Sequence, residues 1–251
     1  MSAGKEALPG DVVAKLVSDL PALGRDSSRT YRLGVMGGTF DPIHNGHLVA
    51  AEQAAHDLNL DLVVFVPAGS PAFKQDRHVS SAEDRHAMTL LATADNPRFL
   101  VSRLEVDRPG ITYTVDTLEL LRNHYPSNVE IYFITGADAI SDILSWHDAN
   151  RIASLAHLVG ATRPGYDLEH VRASLAESGI RFLVHYLEVP ALAISSSDLR
   201  ARVAAGQSLR YLTSDSVVGY IEKRHLYDAA RTPYVEPDAL GLMGGMSTEG
   251  A

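Results

Sequence analysis

The chain has 251 residues, 45% of them hydrophobic and 21% charged, a formal net charge of -9 and no cysteine. That length suits one large domain with a sizeable core, and the near-average composition speaks against wholesale disorder. The acidic balance argues against a general nucleic-acid or anionic-membrane surface, and the lack of cysteine excludes disulfides and thiolate metal sites.

Residues 1–30 show no basic run leading into a long apolar core, and no segment is long enough to span a membrane, so a cytoplasmic protein is expected. Residues 12–20 fit a short amphipathic helix and residues 21–30 a polar linker. The first 30 residues are therefore expected to be an extension, the domain to occupy 31–228, and 229–251, rich in Pro, Gly and Ser, to be a loose tail.

Six apolar runs follow the extension, at 31–38, 61–68, 99–106, 130–135, 157–161 and 181–188. Short and nearly continuous in apolar character, they fit strands buried on both faces of a parallel sheet. Helical patterns lie between them and carry start signals. Ser80 with Glu83 reads as a capping box, while Thr114, Ser195 or Ser196, and Thr213 precede further periodic stretches. This alternation predicts an α/β fold with an open, doubly wound, Rossmann-like parallel sheet whose ligands sit beyond the carboxyl ends of the strands.

Residues 37–48, GGTFDPIHNGHL, directly follow the first strand and lead into a helical run. Gly37 and Gly38 permit positive φ and let a phosphate approach the main chain, and the helix start adds N–H groups and a positive dipole end. Neither the dinucleotide fingerprint nor the P-loop pattern fits. His44 and His47 place two imidazoles on one helix face toward the same phosphate-sized space, and Gly46 keeps that face open. Taken alone, the glycines could be a tight turn and the histidines surface or capping groups. A shared zinc lacks further ligands, since no carboxylate or third His stands at matching spacing and His56 lies too far along.

A second block, ISSSDLR at 194–200, sets three serines ahead of an amphipathic helix, where hydroxyls and N–H groups can cap it or hold phosphate oxygens. Weaker elements lie between the two. They are Lys74 in PAFKQ; Arg85, an anion ligand or a solvated charge; TYTVDTL at 112–118, whose hydroxyls cap a helix or reach a ligand; GAD at 136–138; and Arg163 after the fifth strand. Trp146, the only tryptophan, stands just past the sheet edge. A lone indole commonly anchors packing, and in that place it also suits stacking on a flat apolar ring.

GGTFDPIHNGH resembles the signature of the HxGH-type nucleotidyltransferase superfamily, most nearly its nicotinate-nucleotide adenylyltransferase branch. ISSSDLR is similar to that family's ISSTxIR motif, with Ser197 for Thr and Leu199 for Ile, and TYTVDTL resembles SYTxDTL. PAFKQ keeps only Lys74 of a PPHK pattern. The resemblance spans about residues 31–227. It implies in-line transfer of AMP from ATP to nicotinate mononucleotide, with pyrophosphate released and Mg²⁺ accompanying ATP without a metal site of the protein's own. It makes His44, His47 and Arg200 catalytic. It assigns ATP to Gly37, Gly38, Thr39, Phe40, Gly46, Gly136, Asp138, Ser195 and Ser196, and the mononucleotide to Lys74, Arg85, Thr114, Trp146 and Arg163. Another acceptor, pantetheine phosphate or nicotinamide mononucleotide, and a non-catalytic nucleotide-sensing module are the alternatives. Neither nucleic acid nor membrane is an expected partner, and a homo-oligomer is left open.

Overall fold

The computed structural model describes residues 8–71, 79–162, 168–190 and 192–228. Its strands in chain order are β1 (Tyr31–Gly38), β2 (Leu62–Pro67), β3 (Ser70–Pro71), β4 (Phe99–Val101), β5 (Ile111–Thr112), β6 (Val129–Gly136), β7 (His157–Thr162) and β8 (Val184–Glu188). Six form one sheet in the order β4-β2-β1-β6-β7-β8, every neighbouring pair parallel, and β3 and β5 form a separate two-residue ladder. The strand order reverses at β1, so the crevice between the carboxyl ends of β1 and β6 is the place such a sheet offers to a ligand.

The strands β1, β2, β6, β7 and β8 feed two cores, and β4 feeds one. From β1, Leu33 and Val35 face one layer and Met36 the other. One layer packs helices α2 (Asn45–Asp57), α3 (Ala82–Thr93), α8 (Ser196–Ala204) and α9 (Asp215–Arg224) through Ala51, Ala54, Met88, Leu199 and Ile221. The other packs α4 (Thr114–His124), α6 (Ala149–Leu155) and α7 (Leu168–Glu177) through Leu118, Leu121, Ile152 and Val171. Burial on both faces is why the strands read as unbroken apolar runs.

All six expected strands are present, the first with its expected bounds and the other five with shifted ends. The run at 99–106 pairs only to Val101, because the Asp19 carboxylate accepts hydrogen bonds from the Ser102 hydroxyl at 2.8 Å and from the Arg103 N–H at 2.6 Å, drawing the chain off the ladder. Two caps also move by one residue. Ser81, not Ser80, caps α3 by accepting from the Asp84 N–H, and Ser214, not Thr213, caps α9 by accepting from the Val217 N–H. Thr213 instead donates its hydroxyl to the Ile43 carbonyl at 2.9 Å.

The described part of the expected N-terminal extension packs on the domain. Helix α1 (Gly10–Leu16) buries Leu16, and Val17, Leu20 and Leu23 pack against the α4 side of the sheet. Tyr125 donates its hydroxyl to the Pro21 carbonyl at 2.9 Å, and the Asn128 amide reaches the carbonyls of Asp26 and Arg29. The segment is stitched to the first turn after β4 and to the start of β6.

Candidate active site

The loop leaving β1 is shaped by Phe40, whose φ of 51° is unusual for a bulky residue. Its ring is buried against Phe65 and edge-on to His47. The glycines before it serve space and not positive φ, a correction to the expectation. Both lie in extended β1, and a Cβ on Gly38 would sit 2.8 Å from the Phe40 ring. Backbone strain of this kind persists where surrounding contacts over-determine it. Here the contacts are the packed aromatic rings.

His44 caps α2 and His47 sits three residues on, with the two rings stacked at 3.7 Å between centroids. The main-chain N–H of His44 donates to His47 Nδ1 at 3.2 Å. A neutral imidazole accepting on Nδ1 carries its proton on Nε2, so His47 is held as an Nε2–H donor. Gly46 is small because a Cβ there would lie 3.0 Å from His44 Nδ1, in the space the first imidazole occupies.

The second motif docks on this loop across the sheet. Ser196 donates to the Pro42 carbonyl at 2.9 Å, and Arg200 donates from one terminal nitrogen to the Asp41 carbonyl at 2.8 Å and from the other to the Ser197 hydroxyl at 3.1 Å. Ser195 caps α8 by accepting from the Asp198 N–H, which leaves its own hydroxyl proton for another acceptor. Two further ties close the loop. Asn45 uses its N–H on the Leu212 carbonyl and its side-chain amide on the Tyr211 carbonyl, so the first amide of α2 is already engaged. Tyr227 donates its hydroxyl to buried Asp41 at 2.7 Å, and burial, with Asp41 beside it, pushes that phenol's pKa up.

A cavity of about 160 Å³ opens beside the loop at the switch point. Gly37, Gly38 and Thr39 line one side, and Thr112, Tyr113, Thr114, Thr117, Trp146 and His147 the other. Trp146 is half-buried, lines this space and sets its indole nearly perpendicular to Phe133 at 6.1 Å, so it both packs and borders the cavity. Gly136 and Asp138 end β6 and begin helix α5 (Ala137–Ser141), exposed on the same edge but not in the cavity wall.

Arg85 departs most from expectation. It is 1% exposed, and its guanidinium donates to the carbonyls of Ser80, Thr39 and Gly69 at 3.0, 2.8 and 2.9 Å. Buried in this way it is not a solvated charge, and three of its five N–H groups tie together the loops after β1 and β2. Lys74 and Arg163 lie outside the described residues.

Sequence reasoning missed Glu105, Tyr113, Thr117 and His147 in the cavity wall. Three of them had a usable signal, since Tyr113 and Thr117 belong to TYTVDTL and His147 follows Trp146. Glu105 was hidden inside the run expected to be the third strand. It is buried, it accepts from the Thr117 hydroxyl at 2.5 Å, and burial holds its pKa above the usual carboxylate value.

With this geometry in place, the comparisons are specific. Residues 35–202 match the cytidylyltransferase-like family. A relative from Frankia alni is 57% identical over 194 residues, 77% of this chain and 99% of its own length. One from Mycolicibacterium vanbaalenii is 54% identical over 201 residues, 79% of this chain and 93% of its own. Both carry the name "Probable nicotinate-nucleotide adenylyltransferase". A solved structure of Plasmodium falciparum nicotinic acid mononucleotide adenylyltransferase complexed with NaAD superimposes with a TM-score of 0.65 over 78% of this chain and 97% of its own. At 19% identity that likeness is one of fold.

Proposed function

The chain belongs to the cytidylyltransferase-like family and, within it, to the nicotinate-nucleotide adenylyltransferases, and from that premise we propose that it transfers AMP from ATP to nicotinate mononucleotide. An oxygen of the acceptor's 5′-phosphate attacks the α-phosphorus, the bond to the β-phosphate breaks, and pyrophosphate leaves. The observation that carries this is the meeting of the two motifs. The serines and arginine of 195–200 bond to the loop that bears His44 and His47, beside a cavity sized for a small ring.

No protein nucleophile is needed, because positioning two mutually repelling anions and spreading the developing charge supplies most of the acceleration. His47 donates from Nε2 to the reacting phosphate. Arg200, its guanidinium fixed by Asp41 and Ser197, and the Ser195 hydroxyl neutralise the departing pyrophosphate. Thr114 and Trp146 border the acceptor ring, and Gly136 and Asp138 stand at the edge where the ATP ribose would lie.

ATP enters as its magnesium complex. The side chains around the loop are imidazoles, hydroxyls, a guanidinium and the buried Asp41 carboxylate, which is taken up by Tyr227. A magnesium ion brought in by ATP would be held mainly by phosphate oxygens and water, as Mg²⁺ prefers, and would help to offset the phosphate charge. No helix among the described residues is long and apolar enough to cross a membrane, and a cytoplasmic location belongs to this proposal.

The test is pyrophosphate release from ATP with nicotinate mononucleotide, nicotinamide mononucleotide and phosphopantetheine offered in turn. Turnover is expected to be fastest, by kcat/KM, with nicotinate mononucleotide. Preference for phosphopantetheine would reassign the acceptor, and ATP binding without release in any mixture would make the protein a nucleotide sensor.

A further inference from the structure

The cavity contains one buried acid that the reaction above does not use. Glu105 lies in the wall beside Thr112, Thr117 and Trp146 and is 8% exposed. Its main chain is pressed against Gly69, where a Cβ would come within 2.0 Å of the Glu105 carbonyl oxygen, so this stretch is fixed between two loops.

The guanidiniums nearest it have other partners. Arg108, from the loop before β5, forms an ion pair with buried Asp116 of α4 and is itself largely covered. Arg85 of α3 gives three of its N–H groups to carbonyls and has buried Asp41, on the loop after β1, as its main favourable charge, with Glu105 a smaller one. The Arg108 ion pair is thus made to Asp116, while Glu105 accepts from the neutral Thr117 hydroxyl, so ionising Glu105 would bury a carboxylate whose charge Arg108 and Arg85 oppose without pairing with it. His147 is the remaining titratable imidazole in the wall. Burial raises the Glu105 pKa, against the opposing pull of the Thr117 and Thr112 hydroxyls, Arg108 and Arg85.

We infer that Glu105 stands protonated in the cavity and determines acceptor specificity: as a neutral acid it admits an anionic pyridine carboxylate, which its ionised form would repel. The inference rests on the acceptor assigned above. Its physical content is that like charges brought together in a desolvated site are strongly disfavoured, so the charge on one wall residue decides between an acid and its amide.

Glu105→Gln is the decisive variant, because glutamine reproduces the protonated acid. Its carbonyl accepts from Thr117 and its NH₂ replaces the acid OH. The kcat/KM ratio of nicotinate to nicotinamide mononucleotide is measured for both proteins from pH 6 to 9. The acceptor phosphate ionises alike in both substrates and cancels in the ratio. The wild-type ratio is expected to fall by about tenfold toward high pH, the scale of one like charge in a partly screened site, while the variant's ratio stays flat at the wild-type low-pH value. A Gln variant whose ratio exceeds wild type at pH 6, or two ratios that change in parallel, would overturn the inference.

Turnover with neither acceptor would refute the assigned reaction instead, and the protonation state is then decided without substrate. A carboxyl whose pKa is raised on folding contributes stability that is present below its unfolded value and lost as pH rises through its folded value. The wild-type Tm should therefore fall relative to Glu105→Gln as pH rises, and parallel Tm curves would show Glu105 already ionised.

Discussion

Which proton His47 carries is decided by a hydrogen bond from its own helix cap. Because the His44 N–H occupies Nδ1, the ring is a donor at Nε2, suited to a phosphate oxygen whose charge grows in the transition state. His47→Ala is expected to lower kcat by about 10²–10³, the scale for losing one preorganised donor, with a smaller change in KM for ATP. Steady-state kinetics check this, and near-normal turnover would remove His47 from the mechanism. Trp146 is separable from it by substrate. Trp146→Ala should raise KM for the mononucleotide by about tenfold and move KM for ATP far less. As the only tryptophan it also reports directly, so saturating mononucleotide should quench its fluorescence. Equal losses for both substrates with unchanged emission would leave the indole to its packing on Phe133.

Among the elements, the sheet was legible because strands buried on both faces leave short, nearly continuous apolar runs between turn signals, and the two motifs were legible as spelled. The losses have local causes. The two-residue strands β3 and β5 are too short to show a period, and runs of hydroxyl residues at 80–81 and 213–214 leave the capping position ambiguous by one. Arg85 could not be read as buried, because its three acceptors are carbonyls, which sequence does not distinguish. The packing of the N-terminal segment rests on Leu16 at the end of α1 and on Leu20 and Leu23 beyond the helix, so no single period carries it. Leu16→Ala is expected to cost about 2–5 kcal/mol, the usual range for a large buried aliphatic side chain truncated to alanine, and to lower the urea midpoint accordingly. An unchanged midpoint would show that the segment does not dock in solution.

Across the whole molecule the loop after β1 is finished by parts that come late in the chain. Ser196 holds Pro42, Arg200 holds the Asp41 carbonyl, Thr213 holds Ile43, and Tyr227 holds the Asp41 carboxylate. Asp41 and Tyr227 are 186 residues apart. During synthesis at about 5–20 residues per second, that separation is roughly ten to forty seconds in which the first motif exists without its fasteners. A nascent chain therefore holds a histidine loop that is not yet set, beside strands that can already pair, and it acquires a competent site only as its last helices emerge. Any chain ended early by a ribosomal stall or a nonsense codon would carry the signature in its sequence and lack the geometry in its fold.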